Sequence, residues 1–341
     1  MAYTAIDNPE LYFQVKTYTG NGADGNAITF DNTDTSMQPD LVWIKERSTS
    51  NESRVYDSVR GVNAALHSTT SGAETQAAAY GQFESFDSNG FTVGQGTGDP
   101  GNGAGTNADG ATIVAWCWKE SATSGFDIVT WTGNATNRTI SHSLSAVPKM
   151  IIIKERDGTS GWIVYHTALT AEDDYLVLNT TAAEDDSFAN LQATAPTTSV
   201  FSVGTAQGTN GNTATYVAYA FAEKQGFSKV GLYTGNGNAD GPFIYTGFRP
   251  AMVILKEFGA AGDNWQIVDN KRKPANPVDA LLKPNANTAE QDPSDAKDFL
   301  SNGFKIRNSA NENNGSTNTF IYIAFAEAPF VNSNGVPANA R

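Results

Sequence analysis

The chain has 341 residues and a formal net charge of −14, and only 17% of its residues are charged. An acidic chain without clustered lysine and arginine is poorly suited to phosphate backbones, so nucleic acid is disfavoured as a partner. The sequence contains no run of 18 apolar residues, so it predicts no membrane-spanning segment. The first residues also lack the basic and apolar regions of a signal peptide. The single cysteine, Cys117, excludes a disulfide framework within the chain and a cysteine-based zinc site.

One sequence pattern occurs three times. Each copy opens on an aromatic-Thr-Gly-Asn turn, at residues 18–21, 131–134 and 233–236. Each closes on an aromatic-rich strand ending in glutamate, and these glutamates recur 103 and 104 residues apart, at Glu120, Glu223 and Glu327. A fixed period of this size predicts three tandem modules, each large enough to fold by itself. We predict modules at 12–121, 126–225 and 227–328, between an N-terminal arm (1–11) and a C-terminal arm (329–341).

The apolar residues of each module fall in short runs rich in Val, Ile, Tyr, Phe and Trp, separated by Gly, Asn, Asp and Ser. Such runs between turn residues predict β-strands. Roughly seven or eight strands in a module of this size fit two packed sheets. We therefore predict an all-β chain of three tandem β-sandwich modules of jelly-roll or lectin-like type.

The closing strands predict the environment of Cys117. Large side chains occupy alternate positions in all three strands, namely Trp116 and Trp118, Tyr219 and Phe221, and Ile323 and Phe325. The residues between them are Cys117 and two alanines, Ala220 and Ala324. Because alternate side chains on a strand point to opposite faces, we expect Cys117 to pack on the small-residue face and not to act as a nucleophile.

A Lys-Glu pair lies six residues after a proline in each module, at 45–46, 154–155 and 256–257. Adjacent side chains on a strand point to opposite faces, so the pair cannot act together as acid and base. We predict a structural role, with each glutamate marking the place where a buried strand meets solvent. No triad, zinc-protease or phosphate-loop motif is present. We therefore predict no enzymatic activity, no catalytic residue and no cofactor.

Two acidic runs, 172–174 and 184–186, offer the oxygen ligands that calcium prefers. Neither run matches an EF-hand loop, so solvated turns are the favoured interpretation, and we assign no metal ligand.

Residues outside the repeated pattern are the candidates for surface contacts, because binding is usually placed on loops of a rigid scaffold. The glycine-rich loop 94–110 is the largest departure from the repeat, and a flexible hairpin tip is its alternative interpretation. The candidates in this loop and in the variable stretches are Tyr80, Phe83, Asp99, Asn102, Asn107, Tyr175 and Phe188.

The two ends of the chain and several internal motifs resemble a known family. They are residues 3–14 (YTAIDNPELYFQ), 57–61 (DSVRG), 86–91 (FDSNGF), 324–330 (AFAEAPF) and 336–341 (VPANAR). They resemble tandem-module proteins of tailed bacteriophages, especially marine ones, which are regarded as virion structural or tail-fibre-like proteins. The resemblance implies a location in the virion and no catalytic site.

Three functions follow as hypotheses. The first is a tail-associated structural protein that contacts the host surface, with glycan as the ligand. The second is a capsid decoration or tail-accessory protein that binds other virion proteins through its arms, with Tyr3, Ile6, Phe330 and Val331 as docking residues. The third is a polysaccharide depolymerase. A homotrimer and a single chain that imitates a trimer both agree with the threefold repetition.

Overall fold

The computed structural model of the protein describes residues 3–31, 36–76, 81–97, 104–292 and 296–338. Regular structure in these residues is almost entirely β-strand, and the paired strands run antiparallel. The helices are single turns: a 3-10 turn (Pro9–Leu11), α1 (Gln207–Asn210) and α2 (Asn311–Asn314). No helix in the described ranges has the length and apolar character needed to cross a membrane. The predicted all-β fold is confirmed.

The first repeat contains β1 (Phe13–Thr19), β2 (Asn26–Thr29), β3 (Leu41–Glu46), β4 (Arg54–Asp57), β5 (Ala64–Ala65), β6 (Thr75–Gln76), β7 (Gln82–Asp87), β8 (Gly90–Gly94) and β9 (Thr112–Trp118). Its large sheet has the strand order β1-β9-β3-β4, and its small sheet has the order β2-β8-β7. Strands β5 and β6 pair with each other.

The second repeat contains β10 (Phe126–Thr132), β11 (Arg138–Ser141), β12 (Pro148–Glu155), β13 (Ile163–His166), β14 (Asp174–Val177), β15 (Asp185–Asp186), β16 (Val200–Val203) and β17 (Thr215–Ala222). The third contains β18 (Ser228–Thr234), β19 (Phe243–Tyr245), β20 (Phe248–Glu257), β21 (Gln266–Asp269), β22 (Lys297–Leu300), β23 (Gly303–Ile306) and β24 (Thr319–Pro329).

The large sheets of the three repeats have the same connectivity. Their orders are β10-β17-β12-β13, extended by β14 and β15, in the second repeat and β18-β24-β20-β21 in the third. The small sheets are β11-β16 and β19-β23-β22. In every large sheet the closing strand lies between the first strand and the strand that carries the Lys-Glu pair. Each large sheet packs one face against the small sheet of its own repeat.

The closing strands divide their side chains between two cores, as their alternation predicts. Cys117 is fully buried in the core of the first repeat, together with Phe83 and Phe91 of the small sheet. Burial raises the pKa of its thiol well above the usual range. Trp116 and Trp118 point to the opposite face and enter a different core. The prediction that Cys117 is a packing residue is confirmed.

The second core is shared by all three repeats. It contains the large residues of every closing strand and of the neighbouring strands β3, β12 and β20. At its centre Trp118, Phe221 and Phe325 form a triangle with ring-centroid separations of 6.3, 5.6 and 5.8 Å. An apolar cavity of about 20 Å³ is lined in part by these three rings. The three large sheets therefore enclose one common interior, whose burial stabilises all of them together.

We predict that Phe325→Ala destabilises the whole chain and not only the third repeat. Removal of a buried aromatic side chain costs about 3–5 kcal/mol of unfolding free energy. Because Phe325 contacts rings of both other repeats, urea unfolding followed by fluorescence and by circular dichroism should remain one transition at lower urea. Phe243→Ala, at an exposed position of the same repeat, is the control and should leave the midpoint unchanged. A separate early transition of one third of the signal would contradict the prediction.

The aromatic-Thr-Gly-Asn turn is explained by a clasp that occurs in each repeat. The asparagine of the turn bonds to a second, fully buried asparagine just before the closing strand: Asn107, Asn210 or Asn314. In the third repeat the Asn314 side-chain amide donates to Asn236 Oδ1 at 3.1 Å, and Asn236 N donates to Asn314 Oδ1 at 2.9 Å. The same pairs link Asn210 to Asn134 and Asn107 to Asn21.

The other residues of the turn have equally specific roles. The aromatic residue donates to the carbonyl that precedes the buried asparagine, from Tyr18 to Thr106 at 2.6 Å, Trp131 to Thr209 at 3.1 Å and Tyr233 to Asn313 at 2.7 Å. The glycine is required by space, because a Cβ at Gly133 would lie 2.0 Å from the Gly211 carbonyl oxygen. The repeated motif therefore fastens the first strand to the loop before the closing strand.

The repeats contact one another in a closed ring, and two of the three junctions are polar. At the first junction, Asp57 accepts from the Tyr219 hydroxyl at 2.8 Å, and Glu74 bridges Arg60 at 3.0 Å and Arg156 at 2.8 Å. The junction of the third repeat with the first has equivalent contacts: Trp116 Nε1 to Asp269 at 3.0 Å, and Glu290 with Arg272 at 2.9 Å and Arg47 at 2.6 Å.

The junction of the second repeat with the third is apolar at the same positions. His166 replaces the aspartate, and its Nε2 lies 3.4 Å from the Tyr322 carbonyl oxygen. The partner position holds Ile323, which has no hydrogen-bond donor in its side chain. Leu169 and Phe258 replace the two arginines and are buried in the shared core. The residues at four positions thus differ together, and each junction is either polar or apolar at all four. This is expected, because a single buried charge without its partner is costly.

We predict that Arg60→Leu alone destabilises the chain by about 3–5 kcal/mol, because it leaves Asp57 buried without its cation. The chain itself supplies the control. A variant with Asp57→His, Arg60→Leu, Arg156→Phe and Tyr219→Ile copies the apolar junction. With Glu74→Gln added, to remove the carboxylate that bridges the two arginines, it should recover most of the lost stability. Urea unfolding at pH 7.5 measures both. An Arg60→Leu variant as stable as the original would show that the buried network is not a determinant of the junction.

Candidate functional site

The Lys-Glu pairs are buried scaffold elements. Lys45, Lys154 and Lys256 lie on the sheet face that bears the shared core, while the adjacent glutamates point to the opposite face, as predicted. The prediction that the glutamates mark a solvent boundary is wrong, because Glu46, Glu155 and Glu257 are at most 2% exposed. They are held by loop donors; Glu257, for example, accepts from Gly259 N and Ala260 N at 3.0 and 2.9 Å.

The lysines are stabilised by backbone carbonyl oxygens. Lys154 Nζ donates to the Glu155 carbonyl at 2.6 Å, and Lys45 Nζ reaches the carbonyl of Asn287 in the third repeat at 3.3 Å. Burial lowers the pKa of Lys45 and of Lys154 to about 8. Lys45 therefore contributes to the junction of the first and third repeats, and both ammonium groups are bonded to the protein's own backbone.

Two of the predicted surface residues are buried. Phe83 is 0% exposed and stacks on Tyr56 and Phe91, with ring centroids 4.8 and 5.6 Å away, in the core of the first repeat. Asn107 is also 0% exposed, because it is the clasp residue of the first repeat. Both predictions are wrong. The missed signal for Asn107 is its spacing, since an asparagine stands thirteen residues before each closing glutamate.

The other predicted surface residues have different outcomes. Phe188 is exposed, with 53% of its surface accessible. Tyr175 is half-buried against the core of the second repeat, and its hydroxyl donates to Asp185 at 3.1 Å. Tyr80, Asp99 and Asn102 lie outside the described residues. A role in surface contact stays a prediction for Phe188 and Tyr175.

The two acidic runs lie side by side in the structure. Asp174 pairs with Asp186, and Tyr175 pairs with Asp185, across β14 and β15. Several of the carboxylates are already bonded within the chain: Glu172 accepts from Tyr165 at 2.8 Å, and Glu184 accepts from Thr170. Within the described ranges, no group of three or more His, Cys, Asp or Glu side chains is arranged to hold a metal ion. Glu172 and Asp173 thus lie in a turn, as predicted, whereas Asp174, Asp185 and Asp186 lie in strands at a sheet edge.

The terminal arms pack on the chain itself. Ile6 is 4% exposed and belongs to the shared core, which corrects its assignment as a docking residue. The Tyr3 hydroxyl donates to the Gly247 carbonyl at 2.8 Å, and Asp7 accepts from Ser333 N at 2.6 Å. Phe330 and Val331 are half-buried, and Phe330 N donates to the Gly247 carbonyl. The arms therefore join the two ends of the chain at the third repeat.

An exposed aromatic pair lies on the first strand of the third small sheet, and the sequence analysis did not identify it. Phe243 and Tyr245 are 46% and 52% exposed, on either side of the buried Ile244. The Tyr245 hydroxyl lies 3.3 Å from that of Tyr3. The corresponding exposed positions are Ala27 and Thr29 in β2, and Thr139 and Ser141 in β11. The register of the repeats, once aligned on their buried isoleucines, would have revealed this difference.

A family model for a domain of unknown function, DUF7483, matches residues 8–329. The chain belongs to this family. Comparison with curated proteins and comparison with solved structures find no match.

The DUF7483 match includes all three large sheets in a single domain. It begins in the N-terminal arm and ends at the last residue of β24. The family domain therefore corresponds to the closed ring of three repeats and not to one repeat, in agreement with the shared core.

Proposed function

We propose that this protein is a non-enzymatic structural protein of a tailed bacteriophage particle, associated with the tail, and that it contacts glycan on the host surface. The motif resemblance described above supports the phage origin. The architecture supports a role in display, because three similar units are held in one fixed arrangement by a common core and by matched junctions.

The observation that carries the proposal is the difference between repeats at equivalent exposed positions. The repeated residues build the clasps and the cores, so they serve the scaffold. At the exposed positions of the first small-sheet strand, two repeats carry small or hydroxyl-bearing residues and the third carries Phe243 and Tyr245. A surface that varies on a repeated scaffold is an arrangement suited to recognition.

The chemistry of the pair fits a sugar. Aromatic rings offer flat apolar faces on which the C–H faces of sugar rings stack, and tyrosine adds a polar group at the edge of the ring. The hydroxyl groups of Tyr245 and Tyr3 lie beside each other at this surface and supply hydrogen-bonding groups for sugar hydroxyls. The pair also stands on a strand whose central residue is anchored in the core, so the rings are held in place before binding.

We predict that the purified full chain binds susceptible host cells and their isolated surface polysaccharide. The double variant Phe243→Ala/Tyr245→Ala should bind at least tenfold more weakly, with the urea midpoint unchanged. Leu232→Ala, which removes a different exposed apolar side chain, is the matched control and should bind normally. No binding by the original protein, or equal binding by the double variant, would contradict glycan recognition at this surface. Shortening of the polysaccharide by the protein would instead indicate a depolymerase.

The second candidate is a decoration or tail-accessory protein, and the closed ring favours it because the ring presents three similar outward faces. Electron cryomicroscopy of the virion distinguishes the candidates. Density for the chain at the tail tip or baseplate supports host contact, whereas density on the head lattice or along the tail tube supports decoration.

A further inference from the structure

The closing glutamates have different neighbours in the three repeats. Glu223 lies between two lysines, with Lys149 at 3.3 Å and Lys229 at 2.8 Å. Glu327 pairs with Arg249 at 3.1 Å and accepts from Asn270 at 2.7 Å. These two carboxylates are thus stabilised by basic or amide groups.

Glu120, in contrast, is surrounded by acids. The positions of the two lysines hold Asp40 and Asp127 in the first repeat and at the start of the second. Asp127 is 4% exposed and accepts from the Ser143 backbone amide. Glu120 N donates to Asp40 Oδ2 at 2.8 Å, and Glu120 Oε1 accepts from Ile128 N at 3.3 Å. Three carboxyl groups therefore meet where β9 of the first repeat adjoins β10 of the second.

The carboxyl groups of Glu120 and Asp127 lie close enough to interact directly, and Asp127 contributes to the raised pKa of Glu120. Two ionised carboxylates repel each other at such a separation, whereas a protonated carboxyl can donate a hydrogen bond to an ionised one. Asp40 accepts from the Ser58 hydroxyl at 2.9 Å, and Glu120 and Asp127 accept from the backbone amides of Ile128 and Ser143. In the described ranges no lysine, arginine or histidine forms an ion pair with any of the three acids.

We propose that Glu120 holds a proton that allows it to lie against Asp127, and that this proton is a pH-sensitive latch between the first and second repeats. While the proton is present, the end of β9 and β10 stay in contact. Loss of the proton places three negative charges at the junction, and their repulsion favours separation of β10 from the end of β9. The second junction, where lysines stand at these positions, lacks this response.

The direction of the effect follows from linkage. Burial, followed by the hydrogen bond to Asp127, raises the pKa of Glu120 to about 7 in the folded protein, from about 4.5 for a free side chain. The protonated form is therefore favoured by folding. The stabilisation is complete below about pH 4.5 and is lost as the pH rises through about 7. Because Glu120 is partly exposed to solvent, we expect roughly a tenfold loss of protection from hydrogen exchange at alkaline pH and not the larger factor that the full pKa shift would give.

The buried His166 responds to pH in the opposite direction. Burial lowers its pKa to about 4, so its contribution to stability is lost as the pH falls from about 6.5 through 4. His67 behaves in the same way for the same reason. A test of the latch must therefore compare two junctions within one molecule and not the total stability at two pH values.

Native-state hydrogen exchange of the full chain at pH 5.5 and 8.5 provides this comparison. Rates are corrected for intrinsic exchange, and the ratio of protection in β10 to protection in the equivalent β18 is measured. We expect this ratio to fall about tenfold at pH 8.5. Asp127→Lys copies Lys229 and should make the ratio independent of pH. Glu120→Gln imitates the protonated acid and should do the same, and Glu223→Gln is the control that leaves the response of β10 in place.

A ratio in the original protein that is constant between pH 5.5 and 8.5 would overturn the latch. A pH response that persists in Asp127→Lys would also overturn it, since the response would then arise elsewhere. If Glu120→Gln does not fold, Asp127→Lys alone decides, because its side chain already occurs at the same position of the next repeat.

Discussion

The structure depends on the burial of one aromatic-rich interior that no repeat could enclose alone. Each large sheet has two apolar faces. The small sheet of the same repeat covers one face, and the other faces of all three sheets cover each other around Trp118, Phe221 and Phe325. A single sandwich of this type would expose a sheet face of tryptophan, phenylalanine and isoleucine to water, which is the surface that burial removes most favourably. The threefold repetition of the sequence is thus a requirement of the core.

The junctions between repeats have the same backbone arrangement but are filled by side chains of different chemical type. Two junctions bury arginine–glutamate–arginine bridges beside an aspartate, and the remaining junction fills the same space with histidine, leucine, phenylalanine and isoleucine. Buried ion pairs and well-packed apolar groups can be of similar net stability when each is complete. A junction that combines some residues of the polar type with some of the apolar type is disfavoured, because it leaves a buried charge unpaired. Such matching also specifies which repeat is neighbour to which.

Sequence patterns predicted the strands, the three repeats and the position of Cys117, because these depend on the alternation of side chains within one strand. They did not predict what each face contacts. Glu46 and its counterparts were expected at a solvent boundary, yet loops of the same repeat fold over them. Asn107 was expected on the surface because glycine-rich loops are usually exposed, whereas its amide completes a turn far away in sequence. The aromatic pair at Phe243 and Tyr245 becomes apparent only when the first strands of the three small sheets are aligned on their buried isoleucines, and the folded structure shows which strands correspond.

The most direct measurement of the common interior is the folding of one repeat in isolation. Residues 126–225 would be produced as a separate polypeptide and studied by two-dimensional NMR and sedimentation. The shared core predicts an unfolded chain, or a chain that folds only on association with other copies, because half of its apolar sheet surface would otherwise face water. A monomer with dispersed resonances and cooperative unfolding would contradict the account, since the repeat would then be an independent domain.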